Sequence, residues 1–256
     1  MARQTGVVTV TGAIGNVVGY KKDGKNLLKI RTGPSLKQIR EGENFTNLRK
    51  HQQEFKRASK WCKALREAAN RTIFNSCLQS KVMSLTLCMK KNITMDKVNM
   101  LGERDLQCEH LDLQLQGFEF GDYKSFNASF MRFQDVEFNQ ATQLHDFSFG
   151  RHVSQDDVNF PNGATHYSFA ACLITCSNDS FKFEVSEIRE SIIDRRSAIV
   201  GNVPKIILSV PTPPNAVGSL RIYVAGVHFW QKDVAGNWIP YFNGRNNAAR
   251  VVKIEI

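Results

Sequence analysis

The order of apolar and polar positions changes character twice along the 256-residue chain. The first stretch alternates in short β-branched runs broken by glycine: Gly6-Val7-Val8-Thr9-Val10-Thr11-Gly12, then Asn16-Val17-Val18-Gly19-Tyr20, then Leu27-Leu28-Lys29-Ile30. Asp23-Gly24 separates the last two runs and favours a type I′ turn, in which both central residues need positive φ. Residues 6–31 are therefore predicted to form an antiparallel hairpin arm. Two or three strands alone are marginally stable, so the arm must pack on its own body or on a neighbouring subunit. Val8, Val10, Val17, Tyr20, Leu28 and Ile30 are its candidate assembly residues. Thr32-Gly33-Pro34-Ser35 breaks the chain, and a polar linker is expected up to Glu43.

A helical period takes over next. Residues 44–74 read as one long helix, capped by Asn44 or Asn47. Leu48, Phe55, Cys62 and Ala69 recur every seven residues, as do Ala58, Leu65 and Thr72. This defines a narrow seam of Leu48, Phe55, Cys62, Leu65 and Ala69, broadened by Trp61, which packs on its own chain or between subunits. A second helix is expected at about 76–91, with Leu78, Val82, Leu85 and Met89 on one face and Lys90 and Lys91 at its C-terminal end. Two helices with a short break suggest a helical hairpin.

From about residue 109 the period becomes two. Leu111, Leu113 and Leu115 alternate with polar residues, followed by Phe118-Glu119-Phe120, Phe130–Phe133, Val136–Phe138 and Phe147–Phe149. Later runs are Tyr167–Thr175, Phe181–Val185, Lys205–Val210, Leu220–Phe229, Trp238–Phe242 and Val251–Ile256. Strands at this spacing, separated by Asn, Gly and Pro turns, predict an antiparallel sandwich or barrel. The expected fold is α+β, with a hairpin arm and linker over 1–43, a basic helical region over 44–102 and a β-sandwich over 103–256.

Charge adds a second division. Residues 1–102 hold 20 Lys and Arg against 6 Asp and Glu, whereas residues 103–256 hold 14 against 18. Arg49, Lys50, Lys56, Arg57, Lys60, Lys63 and Arg71 lie off the seam and form the candidate surface for nucleic acid or another polyanion. The null alternative is a solvated outer face. No aromatics interleave with these cations as a stacking platform requires, so contact with nucleic acid would be electrostatic and blind to sequence.

The remaining chemistry is sparse. The six cysteines are irregularly spaced; Cys172 and Cys176 would lie about 13 Å apart along a strand, too far for a disulfide. Buried reduced thiols are expected, and no zinc-ligand spacing is present. The six histidines show no HxxxH or HExxH spacing; His145, His152, Asp156 and Asp157 read as solvated loop groups, and His228 as a sheet residue. No Gly-x-Ser-x-Gly or phosphate-cradling glycine loop occurs. Trp230, Trp238 and Tyr241 hint at a ligand- or carbohydrate-binding sandwich. No apolar run after a basic start and none approaching ~18–20 residues is found, so neither a secretory signal nor a membrane span is predicted. Cytoplasmic synthesis is the expectation, with release inside an assembled particle left open.

The opening Met1-Ala2-Arg3-Gln4-Thr5-Gly6 with the Gly-broken stretch through Tyr20, the Asn47–Arg66 helix, Gly163–Tyr167, Gly226–Trp230 and Asn243–Ala248 together resemble an uncharacterised Bacteroidota-type bacterial family. The blocks run in the same order and span most of the chain. The resemblance implies a single gene product and carries no activity, cofactor or catalytic residue. The function expected is a non-enzymatic, self-assembling structural protein, a repeated subunit of a particle, tube or filament, with a virion-like particle among the options and itself as principal partner. No cofactor or metal is expected. Nucleic-acid binding through the basic helix is the alternative.

Overall fold

The computed structural model describes all residues except 1, 7, 31–32, 71–80, 122–123, 177–182, 187–188, 195–202, 214–219, 242–245 and 256. The side chains of 69–70, 154–155, 189 and 192–194 also lie outside the description. The chain is α+β and divides into two compact units, Met1–Arg49 and Lys50–Ile256.

In the first unit, β1 (Ala2–Arg3), β2 (Gly12–Ile14), β3 (Val17–Lys22) and β4 (Lys25–Ile30) form an antiparallel sheet in the order β1-β4-β3-β2. Asp23 (φ 51°) and Gly24 (φ 73°) make the expected turn. Val8 and Val10 fall outside the strands, and Val7 lies outside the described residues. The Gln4 side chain replaces the missing strand there. Its Oε1 accepts from the Val10 N–H (2.7 Å), and its Nε2 donates to the carbonyls of Val10 (3.0 Å) and Leu27 (3.2 Å).

The expected linker contains a helix, α1 (Leu36–Glu41). Ser35 Oγ accepts from the Gln38 N–H while Gln38 Oε1 accepts from the Ser35 N–H, a reciprocal capping box. A 3-10 turn over Glu43–Phe45 leads into α2 (Thr46–Asn70), two or more residues from the capping position expected at Asn44 and one from that at Asn47.

In the second unit, α2 and α3 (Val82–Ile93) supply the helical layer. Cys77, Leu78 and Thr72 of the expected helices lie outside the described residues. The buried residues of α2 are Glu54, Ala58, Trp61, Cys62, Leu65 and Ala68. This corrects the seam: Leu48 and Phe55 are 43% and 40% exposed, and only Cys62 and Leu65 of the expected set are buried. The Ala69 side chain is among those not described. The buried stripe keeps the four-then-three spacing and the Ala58 and Leu65 positions, but its other track runs through Glu54, Trp61 and Ala68, one residue before the expected Phe55, Cys62 and Ala69. Glu54 is fully buried and ion-paired with Lys90 of α3, accepts from the Gly102 N–H (3.0 Å), and lies 3.9 Å from Arg104 Nε.

The expected strand at Leu111–Leu115 is instead helical, α4 (Asp112–Leu115). Leu111 and Leu115 are buried at i and i+4 while Leu113 is exposed, so alternate leucines here serve one helical face. Phe118–Phe120 runs beside the last strand through an isolated bridge, Glu119 to Arg250. After α5 (Phe126–Ser129), β5 (Phe133–Asn139) and β6 (Leu144–Phe149) form a hairpin. Then follow α6 (Ser154–Asp157), β7 (His166–Cys176), β8 (Phe183–Val185), β9 (Arg189–Asp194), β10 (Ile206–Pro211), β11 (Leu220–Lys232), β12 (Trp238–Pro240) and β13 (Ala248–Glu255). The period-two reading located most of these and missed β9.

The strands make two antiparallel sheets. One has the order β10-β6-β5; the other is centred on the β7–β11 pair, with β8 and β9 flanking β7, and β12 and β13 flanking β11. Residues 170, 172, 174 and 176 of β7 join the helical core with Trp61, Leu65, Leu85 and Met89. Residues 167, 169, 171 and 173 face the smaller sheet through Phe147, Phe149, Leu208 and Val210. β7 is buried on both faces along its length, which explains its near-continuous apolar sequence. The result is three layers: helices, large sheet, small sheet.

Candidate functional site

Strand register sorts the arm into two unlike faces. Ile14, Val17 and Ile30 stand side by side in one row across β2, β3 and β4. They are 64%, 37% and 69% exposed. The next row on that face holds Gly12, Gly19, Leu28 and Ala2. Gly19 is the only buried residue among those described in the arm unit, and a Cβ built on it would overlap the Val10 carbonyl. Glycine is needed here for close approach of a backbone. The opposite face carries Lys22 directly across from Lys25, Arg3 beside Leu27 and Tyr20, and Lys29 beside Val18. Lys29 Nζ stands 5.4 Å from the Tyr20 ring centroid. The arm strands thus hold Arg3, Lys21, Lys22, Lys25 and Lys29 and no carboxylate.

Of the expected arm residues, Val17 and Ile30 lie in the exposed apolar row, Leu28 is half-buried beside Gly19, and Tyr20 is half-buried on the basic face. Val10 is half-buried under the Gln4 clamp, and Val8 is exposed in a bend. The structure brings in three residues that the sequence reading did not single out: Gln4, Ile14 and Gly19. The Gln4 clamp has no sequence signature; Ile14 could have been found as the apolar residue before the Gly15-Asn16 turn.

The seven cations of the helix separate by role. Arg49 Nη1 donates to the carbonyls of Ile39 (2.9 Å) and Gly42 (2.7 Å), tying off the end of α1. Arg57 Nη1 donates to the carbonyls of Gly102 (2.7 Å) and Arg104 (2.8 Å). Both guanidinium groups therefore hold backbone together. Lys50 is half-buried, whereas Lys56, Lys60 and Lys63 are exposed, Lys63 lying 3.7 Å from Glu67. Arg71 lies outside the described residues.

The histidines expected in solvated loops are buried. His152 Nδ1 meets the Gly150 carbonyl (2.9 Å) and its Nε2 meets the Tyr167 hydroxyl (2.7 Å). Nδ1 donates to the carbonyl, and burial holds the ring's pKa below the ordinary value, which favours the neutral form with Nε2 accepting from the tyrosine hydroxyl. Tyr223 donates to Glu255 Oε2 (2.5 Å), which leaves its oxygen to accept from His145 Nδ1 (3.3 Å), with Thr212 at His145 Nε2 (3.0 Å). Burial, then the Arg221 charge, holds His145 below its ordinary value.

A polar cluster lies on the large sheet. Ser168 donates to Glu190, Trp230 Nε1 donates to Ser168 Oγ (2.7 Å), and His228 Nδ1 lies 3.2 Å from Glu190 Oε1. The carboxylate stands between serine and histidine, so no histidine is placed to take the serine proton. Trp238 packs edge-on to His166 at 4.3 Å, with Lys232 Nζ 4.6 Å from its ring, so these aromatics are occupied by neighbours. An open cleft of about 570 Å³ near Met131 and Phe160 contains Asp157, whose oxygens are held by Arg132 Nε (2.8 Å) and the Val153 N–H (2.9 Å).

No metal-holding cluster of His, Cys, Asp and Glu occurs among the described residues, and no disulfide joins any of Cys62, Cys88, Cys108, Cys172 and Cys176. Among the described residues, no helix is long and apolar enough to cross a membrane. Compared with protein-family models, curated proteins and solved structures, the chain matches none of them.

Proposed function

We propose that this protein is a non-enzymatic, self-assembling structural subunit, repeated in a particle, tube or filament and joined to its neighbours through the N-terminal arm. One observation carries the reading. The arm is a four-stranded sheet whose Ile14–Val17–Ile30 row is exposed and whose only buried described residue is a glycine. A sheet with no apolar core of its own gains its stability from what covers it.

The contrast with the body supports this. Two of its outer strands, β5 and β13, are blunted against strand addition. On β5, the Val136 N–H donates to Asp135 Oδ1 (2.7 Å) and its carbonyl accepts from Lys253 Nζ (3.2 Å). Beside β13, the N–H groups of Gly117 and Phe120 donate to the carbonyls of Val251 and Ala249. The body guards these edges while the arm leaves an apolar face open.

The test is molar mass by light scattering on nuclease-treated protein at low and high salt, for the wild type and for Ile14→Asp/Ile30→Asp. A multiple of the 29.0 kDa chain that collapses to one chain in the variant is the expected result. A wild type that stays monomeric at high concentration and low salt refutes the reading.

A further inference from the structure

The two faces of the arm require different contacts, and the receiver of the basic one can be identified within this chain. The outward face of the β10-β6-β5 sheet is set by register. Glu137, Asp146 and Ser209 stand in one row, and Asn139, Leu144 and Pro211 in the next. Inward-facing neighbours His145, Phe147 and Phe149 are buried, whereas Leu144, Asp146 and Ser148 are half-buried, Glu137 is exposed and Ile207 is 51% exposed. The three strands carry Asp135, Glu137 and Asp146 and neither Lys nor Arg. Asp146 is oriented by Ser209 Oγ (2.6 Å) and Asn139 Nδ2 (3.1 Å).

We infer that the basic face of the arm of one copy docks on this outward sheet face of the next copy, making a head-to-tail contact. The inference rests on the self-assembly reading and names its interface. Charge complementarity is the argument for a second copy as the occupant. Four cations, Arg3, Lys22, Lys25 and Lys29, on one sheet face answer the carboxylates of Glu137 and Asp146 on the other. Lys22 directly opposite Lys25 is a like-charge pair that destabilises an isolated ladder; carboxylates laid over it remove that penalty. Both surfaces are antiparallel sheet faces, with apolar positions (Val18, Leu27; Leu144, Ile207) flanking the charges, which suits sheet-on-sheet packing. Because the two surfaces differ, the contact is heterologous and propagates into a ring or an open helix rather than closing as a dimer.

Charge reversal at each surface tests this in the full chain. Lys22→Glu/Lys25→Glu makes the arm match the sign of the sheet face, and Glu137→Lys/Asp146→Lys makes the sheet face match the arm. Each variant alone is expected to fall below wild-type mass, with the apolar row of the arm left unaltered. Mixed in equal amounts they present opposite signs at both contacts, so the mixture is expected to recover wild-type mass at low salt and to lose it as salt screens the pairs. Matching circular dichroism and melting of each variant against wild type confirm folding, and Glu137→Lys, at an exposed site, serves as the milder substitution. Two results overturn the inference while leaving self-assembly standing: wild-type mass in either reversed variant alone, or a folded mixture that does not regain wild-type mass. Unchanged mass with loss of nucleic-acid binding in Lys22→Glu/Lys25→Glu would assign the basic face to nucleic acid instead. A wild type that is monomeric throughout removes both proposals.

Discussion

Replacing Glu54 by alanine is expected to destabilise the body more than any exposed substitution, although the residue is a charged position in the middle of a basic helix. Its carboxylate is fully buried, is paired with Lys90, accepts from the Gly102 N–H and lies 3.9 Å from Arg104 Nε. Burial pushes its carboxyl pKa up, but the Gly102 N–H, Lys90 and Arg104 outweigh that and hold it below the ordinary value. In Glu54→Ala the Lys90 ammonium, whose side chain is only 18% exposed, loses its counter-charge, and a buried N–H loses its acceptor. Removing one partner of a buried ion pair costs about 3–5 kcal/mol, which for a body of this size lowers Tm by roughly 6–20 °C. The double variant Glu54→Leu/Lys90→Leu removes both charges and should recover most of the loss, because a well-packed apolar pair often equals a buried ion pair. Urea unfolding of wild type, Glu54→Leu, Lys90→Leu and the double variant gives the coupling energy directly. The pH dependence has a fixed sign. With a folded pKa below the unfolded one, the contribution is present above the unfolded carboxylate value and is lost as pH falls through the folded value. A loss under about 1 kcal/mol in Glu54→Ala, or additive single and double variants, would refute the claim that this carboxylate locks α2 to α3.

Three further outcomes are expected. His145 and His152 both have pKa values lowered by burial, so stability should fall as pH drops below about 6.5, by up to about 1.4 kcal/mol per pH unit for each ring that stays neutral; a urea midpoint unchanged between pH 8 and 5.5 contradicts this. Leu65→Ala should cost about 2–5 kcal/mol and Phe55→Ser less than about 0.5 kcal/mol, since Leu65 is buried and Phe55 is not; equal melting shifts would return the seam to its heptad placement. Gly19→Ala should open the arm by displacing Val10 while leaving the body's melting unchanged, read as faster hydrogen exchange over residues 2–30 alone.

The sequence disclosed those parts of the fold whose signals are local. Asp23-Gly24 fixed the hairpin turn, and the Phe-rich alternation located the two sheets, because one face of each outer strand meets solvent. The errors arose where a local pattern served two geometries. Leu111, Leu113 and Leu115 fit a strand by alternation, but 111 and 115 also fit one helical face, and a four-residue helix took them. The α2 seam was misplaced because an apolar heptad through Leu48 and Phe55 competes with a stripe that includes Glu54, and no periodicity scale counts a carboxylate as a core residue. Lys90 and Arg104, its partners, lie 36 and 50 positions further on, so their pairing is invisible to a local reading. His145 and His152 looked solvated beside Asp146 and Arg151 because strand geometry sends successive side chains to opposite faces. The polar neighbours point out, and the rings point in.

The same alternation makes the arm informative. In the body, register separates an inward apolar face from an outward polar one, and the inward face finds a second layer. In the arm, register performs the same separation, with Ile14, Val17 and Ile30 on one side and Arg3, Lys22, Lys25 and Lys29 on the other, yet the apolar side remains exposed. A sequence that patterns a sheet for burial without supplying its second layer leaves that layer to be provided from outside. On the opposite, basic side of the arm, the charge division along the chain limits what can receive it. Most surfaces near the arm in sequence are basic, whereas the β10-β6-β5 face combines carboxylates with exposed apolar positions and no cation. If the arm evolved as an independent solvated hairpin, its apolar row could be made polar without consequence. If it is one half of a repeated contact, Ile14→Asp/Ile30→Asp and Lys22→Glu/Lys25→Glu must act on assembly while leaving the body's stability untouched, because the body's own cores contain none of these residues.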